Sequence, residues 1–502
     1  MKFCLHTPLA RLSNELWEVL KLFFATEGFA VAATAPVTPE DAQKAQFTAT
    51  VPTEDMQVLT HEFFEHGGSL RCRFAFQGQS AERCAPALLG ESEITRRRNI
   101  KRLCKMTLYD LCVQITGMRP VWGALTGIRP TRLFYERLHE GMTHAQAEAS
   151  LQSDFDVSPE KTALLSRIVA VQHALPQAAP SEWDVYVAVP FCPTRCAYCT
   201  FAGEAIGAGK KVRPYLDALY RETDAAVKLM HSQGVNLRAL YVGGGTPVSF
   251  DDDTFARFLS RVRDSFPNAL EFTVEAGRPD AITEQKLAAM QNVGVTRLSV
   301  NPQTMNDDTL RAIGRAHTAA QSEQAFRMAR AHGFLNINMD VIAGLPGETP
   351  QDFRRTMERI LALSPDSLTV HTLALKRGGR LLLNQTPLPP SSEVEEMIAT
   401  GEVYAARMGM RPYYLYRQKY MAAQQQNVGY AKENRACLYN MDIMEETATV
   451  LAAGAGAISK RVFPARDLRI ERAPNASNVD VYIGHIDEMI GRTKRLFTED
   501  CK

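Results

Sequence analysis

From Trp183 to about residue 373 the chain repeats one pattern, a short apolar run followed by an amphipathic stretch, at intervals of roughly 30 residues. The runs are DVYVAV (184–189), RALYVGG (238–244), LEFTVEA (270–276), TRLSVN (296–301), INMDVIAG (337–344) and SLTVHTL (367–373). Strands joined by a helical crossover run parallel, because a hairpin cannot span a connection of that length. The pattern therefore predicts an α/β fold with a parallel sheet. Six such units are too few for a closed eight-stranded barrel. In folds of this kind chemistry gathers at the C-terminal ends of the strands and on the loops that follow them.

Two further regions flank the repeat. Residues 1–180 read as an α+β module with a linker: LSNELWEVLKLFF (12–24) has helical periodicity, QFTATVP and SLRCRFAFQG read as strands, and Arg96 to about Thr116 as one helix. That helix carries Arg96, Arg97, Arg98, Lys101, Arg102 and Lys105, a solvated face by the ordinary expectation for charge runs and an anion-binding face by the sharper one. Trp122 to Arg132 is punctuated by glycines and a proline but is too apolar for an exposed loop. A helix started at Ser158-Pro159 and the linker PQAAPSEW complete the region. The repeat occupies 181–391, and residues 392–502 form a third, α+β region expected to fold over the open sheet and cover a substrate. There Tyr413-Tyr414-Leu415-Tyr416-Arg417-Gln418-Lys419-Tyr420 interleaves aromatics with cations. Such a stretch suits a planar acidic ligand or a core strand with exposed cations.

The chemistry concentrates after the first strand, where VAVPFCPTRCAYCTFAG holds Cys192, Cys196 and Cys199. Bridging thiols this close would strain a disulfide, which leaves a metal or a cluster. A structural zinc site normally needs four protein ligands, usually as two short pairs at a distance, and no second Cys or Cys/His pair appears in the chain. A cubane of four irons held by three thiolates keeps one iron open for chemistry. The second strand ends in Gly243-Gly244-Gly245-Thr246-Pro247, where missing Cβ atoms allow a ligand to approach the backbone. Glu275 ends the third strand, Gln303 follows the fourth, Arg315 and His317 come next, and Asp340 lies in the fifth before Gly344-Leu345-Pro346-Gly347. Each alone is commonly a structural hydrogen-bonder. Together they fall at one face of one sheet.

Composition excludes several classes of function. Lys plus Arg (57) and Asp plus Glu (56) give a net charge of +1, so no global field draws nucleic acid or an anionic membrane. No apolar run approaches the length of a membrane span, and the N-terminus lacks a signal-peptide core, so the cytoplasm is the expected location. The other seven cysteines, at 4, 72, 84, 104, 112, 437 and 501, lack ligand spacing and read as free or buried thiols.

GIRPTR, VPFCPTRCAYC, VGGGTP, VEAGRPD, MDVIAGLPGET, YRQKYM, NVGYAK and GAGAIS together resemble the radical S-adenosylmethionine (SAM) family of oxygen-independent coproporphyrinogen III oxidases (dehydrogenases), in its HemZ branch. The resemblance implies a partial, open (β/α)6 barrel and one [4Fe–4S] cluster on Cys192, Cys196 and Cys199. It also implies one or two molecules of SAM, bound at positions matching Tyr186, Gly244, Gly245, Thr246, Glu275, Gln303, Arg315, Asp340 and Ile458. The reaction implied is decarboxylation of coproporphyrinogen III propionates to vinyl groups, giving protoporphyrinogen IX in anaerobic haem biosynthesis. A donor would supply electrons to the cluster and an acceptor would take one from the substrate. For the propionates, Arg129, Arg132, Arg417 and Lys419 are the expected cations. Two positions depart from the family's best-known branch: Thr200-Phe201 replaces x-Cys after the third Cys, and Ala188 replaces a His. Phe201 is shared with haem-chaperone relatives, so haem binding or delivery, or another radical modification of a tetrapyrrole, stands as the alternative.

Overall fold

The computed structural model describes residues 1–25, 28–34, 56–87, 92–127, 129–199, 201, 203–375, 379–384, 386–418, 421–463 and 469–498. The strand expected at QFTATVP, and Lys419, lie outside the described residues. The chain forms two compact units, one of residues 1–127 and 136–166, the other of residues 128–135 and 167–502.

The first unit is a five-stranded sheet of β1 (Lys2–Thr7), β2 (Gly28–Ala33), β3 (Gln57–His66), β4 (Ser69–Phe76) and β5 (Gln79–Pro86), in the order β2-β1-β3-β4-β5. One face is apolar: Leu70, Cys72, Phe74 and Phe76 alternate along β4 and share a core with the helices Ser13–Leu20 and Glu93–Thr116. The second helix starts where Ser92 accepts the Thr95 amide and stops at Gly117. Its cations are spread among carboxylates: Arg96 with Glu65, Arg97 with Glu93, Lys101 with Glu15, Arg102 with Asp154. A solvated, ion-paired face describes that stretch.

The second unit contains the six predicted strands: β6 (Glu182–Val189), followed by the two-residue β7 (Phe191–Cys192) and β8 (Glu204–Ala205), then β9 (Asn236–Gly244), β10 (Glu271–Glu275), β11 (Arg297–Ser299), β12 (Ile337–Ala343) and β13 (Ser367–Thr372). They pair in parallel in the order β6-β9-β10-β11-β12-β13. β6 and β13 do not pair with each other, so the barrel stays open. The last region closes both edges: β14 (Arg411–Tyr416) and β15 (Asn427–Ala431) run antiparallel beside β13, and β16 (Thr449–Ala453) runs parallel to β6, continuing to β17 (Ile458–Phe463) and β18 (Arg469–Pro474). Eleven strands thus form one sheet.

Crossover helices cover the outer face with i, i+3, i+4, i+7 stripes. In Pro350–Leu363 the buried positions are Phe353, Thr356, Met357 and Ile360, and Thr349 with Asp352 makes a capping box. Outward strand residues such as Leu298, Met339, Val341, Leu368 and Val370 are at most 2% exposed. The alternate positions turn inward and are mainly polar.

Candidate active site

Those inward positions line a cavity of about 350 Å³ within the second unit. Around it stand Tyr186 from β6, Tyr241 from β9, Glu275 from β10, Arg297 and Ser299 from β11, Asn338 and Asp340 from β12, and Thr369 and His371 from β13. Cys192, Cys196 and Cys199 line the same cavity, as do Gly244, Gly245, Thr246, Gln303 and Arg315. Eleven of the twelve residues expected to bind cluster or SAM therefore converge there. Ile458, the twelfth, begins β17 half exposed and does not line the cavity.

The Cys loop is tied to the sheet by backbone. Gly245 N–H donates to Val189 O and Thr246 N–H to Phe191 O, each at 2.7 Å, and the Thr246 hydroxyl donates to Cys192 Sγ at 3.4 Å. The glycines also have a packing role. A Cβ on Gly245 would lie 2.6 Å from Phe191 O and 2.9 Å from Val189 O, and Gly244 has φ +105° with a Cβ position 3.2 Å from the Val189 backbone. The close approach of the Cys loop's own base is by itself enough to require glycine there.

Arg315 reaches across the floor. Its Nη1 donates to Gly277 O and Asn301 O, both at 2.9 Å, and Nη2 donates to the Tyr198 hydroxyl at 3.1 Å, so it clamps the Cys loop to two strand ends. Gln303 holds a left-handed φ of 69°, pinned by Gln303 N–H to Asp340 O and Ile342 N–H to Gln303 O. Asp340 accepts from Asn338 Nδ2 at 2.7 Å and sits 3.6 Å from His371 Nε2. Burial pushes its carboxyl up, yet His371 and Asn338 hold it below the usual carboxylate range.

Glu275 accepts the Tyr241 hydroxyl at 2.5 Å. Burial, with repulsion from Asp340, pushes its carboxyl up to about 7. A carboxyl raised by folding binds its proton more tightly folded than unfolded. Stability should therefore fall as pH rises from 4.5, its ordinary value, towards about 7. Denaturant unfolding across that window should show a shallower pH slope in Glu275→Gln than in the parent chain. Equal slopes would place the raised group elsewhere.

Buried polar atoms on this wall lack protein partners: Ser299 Oγ, Asn301 Oδ1, Gln303 Oε1 and Arg315 Nε. Such atoms need a polar ligand or water, and this donor and acceptor set fits SAM. The thiols fit a cluster better than one ion. They share a cavity wall, yet among the described residues only His61, Cys72 and Cys104 bring three donor atoms within 4.8 Å of one another.

The expected propionate cations lie elsewhere. Arg129 pairs with Glu446 at 2.7 Å and Arg132 approaches the same carboxylate at 3.9 Å, with Arg472 a third partner. Glu446 precedes β16, whose Thr449 lies opposite Trp183, at the N-terminal end of the sheet and away from the Cys loop. These arginines neutralise a buried acid. Arg129→Met should lower unfolding stability by on the order of 1–3 kcal/mol and leave SAM cleavage per cluster unchanged, and lost cleavage with unchanged stability would reverse that assignment. Arg417 is buried, donates to Gln424 O at 3.2 Å and does not line the cavity, although Tyr414, Tyr416 and Gln418 beside it do.

Several lining residues were missed: Tyr198, Tyr241, Arg278, Arg297, Asn301, Asn338, His371 and Tyr439's neighbour Asn440. The readable signal was alternation, since Arg297-x-Ser299-x-Asn301, Asn338-x-Asp340 and Thr369-x-His371 are polar at every second position of otherwise apolar strands. Tyr439 stacks on the cavity-lining rings of Tyr241, at 4.4 Å, and Tyr186, at 5.9 Å.

An open parallel sheet with a three-cysteine loop after its first strand and a polar inner wall defines a radical SAM protein, and residues 186–360 match the radical SAM superfamily. The chain is 39% identical over 372 residues, 72% of its length and 74% of the relative's, to the oxygen-independent coproporphyrinogen-III oxidase-like protein HemZ of Bacillus subtilis, and belongs to that family. It is also 33% identical over 226 residues, 43% of its length and 57% of the relative's, to the heme chaperone HemW of the same species. Its fold is shared with coproporphyrinogen III oxidase (HemN) from Escherichia coli, described as a radical SAM enzyme, at TM-score 0.51 and 23% identity over 64% of this chain and 73% of that one. Among the described residues no helix is long and apolar enough to cross a membrane.

Proposed function

We propose that this protein is a radical SAM enzyme that decarboxylates the propionates of coproporphyrinogen III to vinyl groups, with Cys192, Cys196 and Cys199 holding one [4Fe–4S] cluster. The observation that carries the reading is the single cavity in which the three cysteines, Gly244 to Thr246 and the polar wall of Glu275, Gln303, Arg315 and Asp340 meet. When bound, the cluster supplies the electron for reductive SAM cleavage and thereby a hydrogen-abstracting adenosyl radical. The chain's own residues do the rest. Tyr186 and Tyr241, braced by the Tyr439 ring stacked on both, exclude water on one side, Arg315 holds the Cys loop against the strand ends, and Ser299, Asn301 and Gln303 offer unfilled polar atoms to SAM.

The substrate carboxylates need cations at the mouth. Arg195, exposed on the Cys loop and lining the cavity, has no ion pair among the described residues and takes the role expected of Arg129 and Arg132. Arg195→Met should weaken apparent substrate affinity roughly tenfold or more, while SAM cleavage without substrate persists. Unchanged substrate affinity in that variant removes Arg195 from the propionate site.

The deciding experiment is anaerobic incubation of reconstituted protein with SAM, a reductant and coproporphyrinogen III, followed by mass analysis. Products lighter by CO2 and two hydrogens per propionate are expected. A second reading, haem binding or delivery, is favoured by Phe201, which is 69% exposed at the cavity lining. Stoichiometric haem binding with no decarboxylated product would establish it instead.

A further inference from the structure

The first unit holds a second group of metal-ligating side chains, unrelated to the cavity. His61 on β3, Cys72 on β4 and Cys104 on the helix Glu93–Thr116 bring Nε2 and two Sγ atoms within 4.8 Å of one another. All three are buried, at 2%, 0% and 0% exposure. His61 faces Phe74 across the ladder, so Cys72, two residues earlier on the same face, is its diagonal neighbour.

The imidazole is oriented for a ligand. Its Nδ1 is 2.7 Å from Thr7 Oγ1, and Thr7 Oγ1 also accepts the Leu9 amide at 3.0 Å. The ring lies flat on Phe74 at 4.2 Å and 6°. With Nδ1 engaged and the ring plane held, Nε2 points at Cys72 Sγ, 3.4 Å away. Metal-bound histidines normally have their other ring nitrogen fixed by a hydrogen-bond acceptor, a place that Thr7 Oγ1 fills here.

The spacing matches a coordinated ion. With metal–sulfur bonds near 2.3 Å and metal–nitrogen bonds near 2.0–2.1 Å, tetrahedral angles put S···N at about 3.6 Å and S···S at about 3.8 Å. Cys72 Sγ stands 3.4 Å from His61 Nε2, and all three donor atoms lie within 4.8 Å of one another. Two thiolates with one divalent cation sum to zero charge, so the group can lie in an apolar core without an unpaired ion.

We propose that His61, Cys72 and Cys104 supply three of the four ligands of a site for one thiophilic divalent cation of the zinc class, the fourth position falling to a non-protein ligand, with the imidazole oriented by Thr7 and the site independent of the radical SAM centre. Its role is to pin the helix Glu93–Thr116 to the β3–β4 hairpin, since metal bound only by the folded state adds to folding stability.

The test uses the full chain with Cys192, Cys196 and Cys199 replaced by Ala, so the cluster loop takes up no metal, and cobalt(II) added without oxygen as the probe. One equivalent should bind with a thiolate-to-cobalt charge-transfer band, zinc should displace it, and X-ray absorption should fit two sulfurs and one nitrogen. Adding Cys72→Ser and Cys104→Ser should abolish the band, whereas Cys112→Ser, a buried thiol of the same core, should keep it. The proposal falls if the parent takes up no stoichiometric cobalt, if uptake survives loss of both thiols, or if the absorption fit contains no sulfur. The absorption fit decides the question even where the serine variants do not fold.

Discussion

Replacing Cys192, Cys196 and Cys199 together by Ala should remove the broad brown absorbance of the reconstituted protein and reduce SAM cleavage to background. The effect should be total because, on the proposed reading, each thiolate would hold a different iron, and among the described residues no other cysteine lines the cavity. Burial pushes the Cys192 and Cys199 thiols up, so cluster assembly releases protons and reconstitution should improve as pH rises. Cys437→Ala should leave the cluster intact, because that thiol is buried and its Sγ donates to Glu271 at 3.2 Å. Cluster loss in Cys437→Ala, or a brown protein after the triple substitution, would show that the ligand set is wrong.

Gly245→Val should cost about 1–3 kcal/mol in stability from overpacking and, more tellingly, lower cluster content. The added methyls meet Phe191 O and Val189 O, backbone atoms that cannot swing away, so the base of the Cys loop must move. Cluster and SAM cleavage should then fall together. A glycine in open space is the control: a Cβ on Gly484 meets nothing within 4 Å, and Gly484→Ala should leave the cluster unchanged. If Gly245→Val assembles a full cluster and loses only SAM binding, the glycine faces the ligand after all and the packing account is wrong.

Much of the barrel was legible because its determinants are local. Each strand is an apolar run bounded by turn residues, each helix an amphipathic stripe, and strands linked by helices can only pair in parallel. The Cys loop was legible for the same reason, since its three ligands lie within eight residues. Glu275 ends a predicted strand and Gln303 follows one, whereas Asp340 lies within β12 and Arg315 comes after a further helix, Asp307–Ala312. The inner-face residues Arg297, Asn338 and His371 were written in a period-two alternation, and needed only the decision about which face points inward.

What the sequence by itself determined, then, was the six parallel strands at the centre of the sheet and the Cys loop that follows the first of them. Tertiary structure alone decided where the remaining charges went. GIRPTR and the C-terminal region do meet, with Thr131 donating to Glu445 across 314 positions, but at the wrong end of the sheet for the cavity. Glu271, at the start of β10, accepts the Leu438 and Tyr439 amides and caps a helix from 167 and 168 positions away. Arg129 spends its charge on Glu446 in the same way. The physical reason is that spacing along a segment is set by bond geometry, whereas a long-range ion pair depends on which strand edge its carrier joins. β14 and β15 on one edge of the sheet and β16 to β18 on the other place those partners, and no short-range pattern records that choice.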